Sequence, residues 1–405
     1  MNFRVMRLNK LLLKCLFVTC SLATINAANA GLSEDSDSAT PVIHLGGVSA
    51  YPGLSVLEKS NNNLYRSDAN KQSSLITVVS PSVQLLAKKG ADAYSVVYRA
   101  DLARYAQSSA DDYVDHSLLL GVEMPISARA SLQFKPEARL GHDDRGSTFG
   151  PGTATPNTWK KVGFTGVFSY GSEDSIGKLV MDVGYDDVIY QNNRTVTLGY
   201  DKTQKYLAGS FYLRVSPKSM AFVQMDNLNI AYKDTASSLN GNELRLLFGL
   251  TWKATAQTSG KFKIGQLQKS FDRAHSTYSG DSWEGSVLWS PRQSTYIEWV
   301  SGRKSSESTG VGDLVLTTNN ALDLRYDLSE KIRFHLNGAQ STEEFSPSSR
   351  RDKTPSYGFK AEYLLRSWLS ARAEYTHSAK TSRNYTGISP DFVNDIFLVS
   401  ISTEM

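Results

Sequence analysis

The sequence predicts an all-β fold: a transmembrane antiparallel up-and-down β-barrel of outer-membrane type, of about eighteen strands, with sixteen also compatible. Three observations carry this expectation. Long runs alternate apolar and polar residues with period two. Beyond residue 30 no run approaches the roughly 18 to 20 apolar residues of a membrane-crossing helix. A chain that is 40% hydrophobic and 21% charged, with a mean hydropathy of -0.33, is what such alternation averages to in a barrel.

Residues 1–30 read as a signal peptide, with the barrel over 31–405. Arg4, Arg7, Lys10 and Lys14 come without an acid, an apolar stretch runs from Leu11 to Ile25, and Ala28-Asn29-Ala30 supplies a small-x-small cleavage signature. Both cysteines, Cys15 and Cys20, lie inside this segment, so the remainder can form neither a disulfide nor a cysteine metal site. Lipidation at Cys20 is disfavoured, because Thr19 suits it poorly and Ala28-Asn29-Ala30 explains cleavage better. The sequence holds 44 basic and 40 acidic residues; without the four leading cations the two balance. A neutral chain lacks the basic excess that nucleic-acid binding requires.

The alternation is explicit in four runs. Ala128, Ala130, Leu132, Phe134, Pro136, Ala138 and Leu140 interleave with Arg129, Ser131, Gln133, Lys135, Glu137 and Arg139. Leu244, Leu246, Phe248, Leu250, Trp252 and Ala254 interleave with Glu243, Arg245, Gly249, Thr251 and Lys253, Leu247 alone departing. Leu322, Leu324, Tyr326 and Leu328 oppose Asp323, Arg325 and Asp327, and Tyr357, Phe359, Ala361 and Tyr363 oppose Gly358, Lys360 and Glu362. Runs of this length suit a tilted membrane strand of about 9 to 11 residues better than soluble strands of about 5 or 6.

Three turns fix a register, because a one-residue slip would invert a face. A loop at Pro125-Ile126-Ser127 pairs Met124 with Ala128, Val122 with Ala130 and Leu120 with Leu132, and sets Glu123 against Arg129. A loop at Ser329-Glu330-Lys331 pairs Leu328 with Ile332, Tyr326 with Phe334 and Leu324 with Leu336, and sets Asp327 against Arg333. A loop at Arg366-Ser367-Trp368 pairs Leu365 with Leu369, Tyr363 with Ala371 and Phe359 with Tyr375, with Glu362 facing Arg372 and Lys360 facing Glu374. Opposite charges meet on the polar face each time, although only the apolar face was used to choose the register.

Short turns near 90–91, 125–127, 216–219, 290–293, 329–331 and 366–368 alternate with longer polar loops at 141–158, 191–203, 270–280, 345–353 and 380–392, the asymmetry of short periplasmic turns and long outer loops. Leu45 to Leu57 offers a first strand, interrupted by Tyr51-Pro52-Gly53. Pro136 cannot donate a ladder hydrogen bond, so a bulge or kink is expected there. Phe397, Val399, Ile401, Thr403 and Met405 form a closing strand, Met405 standing where a terminal aromatic is commoner.

The inner faces nominate lumen-lining residues: Arg99, Asp101, Arg129, Lys135, Glu137, Arg139, Glu243, Arg245, Lys253, Lys261, Lys263, Asp323, Arg325, Lys360, Glu362, Arg372 and Glu374. They would hydrate a passage and bond sugar hydroxyls or uronic carboxylates, or neutralise one another and hold the wall upright; both readings stay open. Tyr94, Trp252, Trp289, Trp299 and Tyr375 fall on the apolar face, as girdle residues do. His44, His116, His142, His275, His335 and His377 show no metal-ligand spacing and form no pattern with a nucleophile, and no cofactor is indicated. Gly280-Asp281-Ser282 looks like the start of a lipase-like serine motif but lacks a matching acid-histidine partner. His142-Asp143-Asp144 in a loop is more readily solvated than a site for a divalent cation or lipopolysaccharide phosphates.

Several short motifs follow one another in order: Asn62-Asn63-Leu64-Tyr65-Arg66, Val79-Ser80-Pro81-Ser82-Val83, Tyr98 to Tyr105, His142-Asp143-Asp144-Arg145-Gly146, Asn192-Asn193-Arg194, Gly249-Leu250-Thr251-Trp252 and Trp289-Ser290-Pro291-Arg292. Over most of the chain their order and spacing resemble the outer-membrane β-barrel porins of exopolysaccharide operons, the EpsL-like proteins. That resemblance implies an outer-membrane barrel of a Gram-negative bacterium, a polysaccharide as cargo, and a periplasmic polysaccharide export protein and inner-membrane synthesis machinery as partners. It supplies no catalytic residue, and the expected function is export without chemistry of its own. A general diffusion porin is the alternative in the same location; an outer-membrane enzyme acting on lipid or polysaccharide, or an adhesin, are rivals of other classes.

Overall fold

Alternating strands satisfy every backbone amide in lipid only by closing on themselves. The computed structural model describes residues 43–403 apart from 148–151, 173, 254–256, 273–276 and 308–312. A three-residue β1 (Ile43–Leu45) precedes β2 (Val48–Asn61), β3 (Ser74–Lys89), β4 (Asp92–Tyr105), β5 (Tyr113–Pro125), β6 (Ala130–Asp143) and β7 (Asn157–Tyr170). Then come β8 (Gly177–Tyr190), β9 (Lys202–Ser216), β10 (Ser219–Tyr232), β11 (Gly241–Trp252), β12 (Thr258–Phe271) and β13 (Thr277–Arg292). The last six are β14 (Thr295–Ser306), β15 (Leu314–Asp327), β16 (Ile332–Ser346), β17 (Arg351–Arg366), β18 (Leu369–Arg383) and β19 (Phe392–Thr403). From β2 onward each strand pairs antiparallel with the next, and β19 returns to β2 from Ile396↔Asn61 to Ser402↔Ser55. The wall is a closed barrel of eighteen strands. Closure removes the free edges that would otherwise recruit other chains.

β1 lies beyond this count. It pairs with the lower part of β2, Ile43↔Ala50, past the point where β19 ends, and the Leu54 amide donates to Thr403 Oγ1 at 2.8 Å. The interruption expected at Tyr51-Pro52-Gly53 does not occur: β2 runs through it, with Pro52 opposite Val83. Proline is tolerated because its missing N–H faces the side on which the β19 ladder stops at Ser55. Pro136 likewise makes no bulge. It pairs with Phe164 of β7, while toward β5 the ladder skips from Val122↔Phe134 to Leu119↔Glu137 without changing register. Pro355 does the same toward β18, between Lys353↔Thr381 and Ser356↔Ser378. A missing donor disturbs one neighbour only.

The register near 330 stands, with Tyr326↔Phe334, Leu324↔Leu336 and Asp327↔Arg333. So does the one near 367, with Tyr363↔Ala371, Glu362↔Arg372, Lys360↔Glu374 and Phe359↔Tyr375. Leu365 is bulged there, so Arg366 rather than Leu365 meets Leu369. The register near 126 is corrected: Met124 faces Leu132, Val122 faces Phe134, and Glu123 faces Gln133 instead of Arg129. Ser127 Oγ accepts from the amides of Arg129 and Ala130 at 3.2 and 3.0 Å, which draws residues 126–129 into the turn. An even displacement keeps every side chain on its own face.

Apolar residues point outward. On β11 Leu246, Phe248 and Leu250 are exposed while Glu243 and Leu247, on the opposite face, are buried. Tyr94, Trp289, Trp299 and Tyr375 are also exposed on the outer face, and Trp252 opposite Gly260 shares it by register. At one end eight connections hold two to six residues, and at the other nine hold four to thirteen; the first is the periplasmic end and the second the outer mouth. Residues 1–30, expected to be a signal peptide and holding Cys15 and Cys20, lie outside the described residues, as do His275 and Met405.

Candidate functional site

Alternation puts one polar face of each strand on the bore, and the charges there meet neighbours from the next strands. One network crosses β10 to β13. Arg245 reaches Asp226 at 2.5 Å and Glu284 at 2.7 Å, and Lys263 reaches Glu284 at 3.3 Å and donates to Gln224 at 3.3 Å. A second joins β6, β7 and β8: Glu137 binds Arg139 at 2.8 Å and Lys161 at 2.6 Å, and Lys161 continues to Asp186 at 3.0 Å. A third lies on β15 to β17, where Asp327 holds Arg325 and Arg333 at 3.0 and 2.9 Å and Glu362 holds Lys360 at 3.0 Å and Arg333 at 3.5 Å.

The remaining nominated residues fall in several settings. Arg99 pairs with Asp101 at 2.7 Å, and Ser80 donates to the same carboxylate. Lys261 lies over the rings of Phe222 and Tyr212 at 4.9 and 5.7 Å. Asp323 approaches His335 at 3.6 Å, Arg325 stacks on Tyr296 at 3.8 Å, and Lys135 opposes Thr165. Glu374 is 3.9 Å from Arg372 on its own strand, so the facing residues Glu362 and Arg372 share a register position while Glu362 spends its oxygens on Lys360, Arg333 and His335. Two nominations are corrected. Arg129 lies in the 126–129 turn and Lys253 in the connection after β11, because both strands end sooner than their alternation does.

The outer mouth is narrowed by main chain that folds inward, anchored by Asn63, Tyr65 and Arg145. Asn63 is fully buried, and its side chain donates to the carbonyls of Ser67 and Val393 at 2.8 and 2.9 Å. This pins the β2–β3 connection across the mouth, where Leu64 packs with Ile76, Val78, Ala103 and Tyr105 on the inner face. Arg145 completes the tie. Its guanidinium lies over the Tyr65 ring at 4.2 Å and donates to Asp111 at 2.6 and 2.7 Å and to Tyr65 Oη at 2.5 Å. Three connections are thus joined by one side chain, and Asp111 raises the affinity of that guanidinium for its proton.

Gly146, next in the motif, has φ +76°, and a Cβ there would stand 2.0 Å from the Tyr65 carbonyl oxygen. Gly146→Ala is therefore expected to cost the joined loops about 1–3 kcal/mol, seen as faster amide hydrogen exchange over 62–67 with the wall strands unchanged. Farther round, Asn192 donates to the Pro156 carbonyl at 2.9 Å and accepts from the Thr158 amide at 2.7 Å. Arg194 clasps Asp201 with two bonds of 3.0 and 2.7 Å.

His142 and Asp143 end β6 rather than occupying a loop. The two ring nitrogens of His142 contact Asp115 at 3.0 Å and Asp144 at 3.2 Å, and Asp143 accepts from Trp159 and Tyr190 at 3.0 and 2.9 Å. These contacts account for the motif without a cation. Burial alone would raise the Asp144 carboxyl, but its bond to His142 and the charges of Lys59 and Arg66 bring it down to about 2.

The second inward element is formed by the upper ends of β14 and β15, with Glu307 just beyond β14. The β13–β14 ladder stops at Trp283↔Arg303, so the upper six residues of β13 pair with β12 alone. Above that seam these strand ends lean into the barrel and lie on the inner wall. Leu314, Val315 and Leu316 are all buried, and Leu314 and Leu316 pack with Phe271 against Leu239 and Tyr278. Glu307 accepts from Lys269 and from Tyr232 Oη, both at 2.6 Å, and Ser305 donates to Glu243. Burial pushes the Glu307 carboxyl up, but Lys269 and Lys202 more than offset this and hold it below the ordinary range. Ser282 of the serine-like motif is fully buried and donates to the Arg303 carbonyl at 2.9 Å.

Alternation would have found Lys161, Asp182 and Asp186, which take the inner phase of β7 and β8 opposite to that of the exposed Val162, Leu179, Met181 and Val183. Asp226 and Glu284 carry a fainter signal, since Asn227, Asn229, Trp283 and Gly285 blur the faces of β10 and β13. Glu307 carries none, lying beyond a strand end.

A lipid-facing cylinder with a charged inner wall and folded-in outer connections defines a porin-like channel of the Gram-negative outer membrane. The chain belongs to the family described as "Putative beta-barrel porin 2", which it matches over residues 42–402. No curated protein sequence matches it. Solved structures similar to it include Acinetobacter baumannii OccAB3, at 11% identity and a TM-score of 0.48 over 88% of this chain and 99% of that one. Pseudomonas aeruginosa OpdK with vanillate has 11% identity and a TM-score of 0.49 over 87% and 98%. A bacterial polysaccharide outer membrane secretin has 9% identity and a TM-score of 0.38 over 87% and 98%.

Proposed function

We propose that this channel carries an exopolysaccharide outward across the outer membrane, receiving it at the periplasmic end from a periplasmic export protein fed by inner-membrane synthesis machinery. The observation that carries the reading is the pairing of the inner-wall charges. Asp226, Arg245, Glu284 and Lys263 saturate one another across four strands, as do Glu137, Lys161 and Asp186 across three. Such a wall offers hydroxyl groups many weak contacts and few strong ones, and passage requires sites weak enough to leave. The resemblance of the rim motifs to EpsL-like proteins points the same way.

Deleting the gene in a polysaccharide-producing strain tests it. Secreted polymer should disappear while uptake of small nutrients stays unchanged; normal secretion would overturn the reading. The inward β14–β15 hairpin favours a second reading, a general diffusion porin, because a narrowed mouth suits small solutes. Under that reading the same deletion slows small-solute uptake and leaves the polymer on the cell surface.

A further inference from the structure

Above the apolar band, the outer face of β17 and β18 turns basic. The exposed odd positions of β17 run Tyr363, Phe359 and Tyr357 toward the mouth, then reach Lys353 and Arg351. On β18 the same face ends in Thr381 and Arg383, and Arg383 stands directly across the ladder from Arg351. At about 3.3 Å per residue and a tilt near 40°, Lys353 and Arg351 lie roughly 10 to 15 Å above Tyr357. That is the level of the sugars of the outer leaflet.

Two cations opposed in one cross-strand pair repel, and the local acid does not offset them. Glu344 takes Arg351 at 3.4 Å but already holds Arg303 at 2.9 Å. Asp352 and Glu343 face the other way, into the barrel, where they bind Arg350 and Lys380. Among the described residues Lys353 and Arg383 have no carboxylate within ion-pair distance. The repulsion is relieved if an anion from outside sits between them, and paired guanidinium groups fit the oxygens of a phosphate by forked hydrogen bonds. We infer that Arg351, Lys353 and Arg383 form an outer-leaflet site for lipopolysaccharide, gripping the phosphates of its sugars. The site lies on the outer surface and does not depend on what the bore carries.

The full chain as purified from outer membranes into detergent can be titrated with phosphorylated rough lipopolysaccharide, with the same material stripped of phosphate, and with inorganic phosphate. Tight binding of the first alone is expected. The double variant Arg351→Gln with Arg383→Gln should bind it about 25-fold more weakly, about fivefold for each cation near a membrane surface, with the heat-dependent gel mobility of a folded barrel retained. Equal binding by the double variant would overturn the site. On the unaltered protein, so would equal affinity for phosphate-stripped lipopolysaccharide. Inorganic phosphate binding as tightly as the lipid would replace the lipid site by a simple anion site.

Discussion

Arg245→Met is expected to remove about 3 kcal/mol from the stability of the barrel, the usual lower bound for breaking a buried ion pair by deleting one partner. The arginine stands between Asp226, whose side chain is 3% exposed, and Glu284, at 19%. Without it the two carboxylates keep Lys263 alone as a cation in that network, 3.3 Å from Glu284. Urea unfolding in detergent would show a lower midpoint at an unchanged denaturant slope. Adding Asp226→Asn to Arg245→Met should restore most of the loss, because the penalty belongs to the stranded carboxylate and not to the missing contact. A loss below about 1 kcal/mol, the range of exposed pairs, would mean that the network is solvated and contributes little to the wall.

Glu307→Gln is expected to free the upper ends of β14 and β15 and raise single-channel conductance. Glu307 is held by Lys269 and Tyr232 at 2.6 Å each. Losing the charge from such bonds costs about 2 kcal/mol, a shift of about thirtyfold toward the undocked strand ends. Acid should act in the same direction. The folded carboxyl is held below its ordinary value of 4.5, so docking is fully stabilised above that value and weakens as the pH falls through the lower folded one. Conductance at pH 7 and pH 5 should therefore agree and rise only in stronger acid, and Glu307→Gln should abolish that rise. A conductance unaffected by the substitution at every pH would show that these strand ends do not narrow the path.

The wall was legible because a closed barrel uses one rule at every position. Leu246, Phe248 and Leu250 against Glu243 and Arg245 state that rule in full, and register followed wherever a two- or three-residue turn left no freedom. It slipped at 126–129 because Ser127 can cap a wider turn without moving any side chain to the other face. A displacement that preserves the faces leaves no trace in the pattern. The mouth was harder. Asn63, Arg145 and Gly146 form recognisable motifs, yet their meaning lies in meetings between segments about eighty residues apart, such as Arg145 with Tyr65. The inward lean of β14 and β15 was least visible. Leu314, Val315 and Leu316 form an unbroken apolar run, which fits a strand covered on both faces, but nothing in it names Phe271 as the cover.

The barrel rests on one division, between odd and even positions of each strand. Single cysteines along β17, placed in a chain with Cys15 and Cys20 replaced by serine, test it most directly in intact outer membranes with a membrane-impermeant thiol reagent. Positions 356, 358, 360 and 362 should react from the aqueous bore, while 357, 359, 361 and 363 should stay protected by lipid. Uniform labelling, or labelling confined to the odd positions, would contradict it.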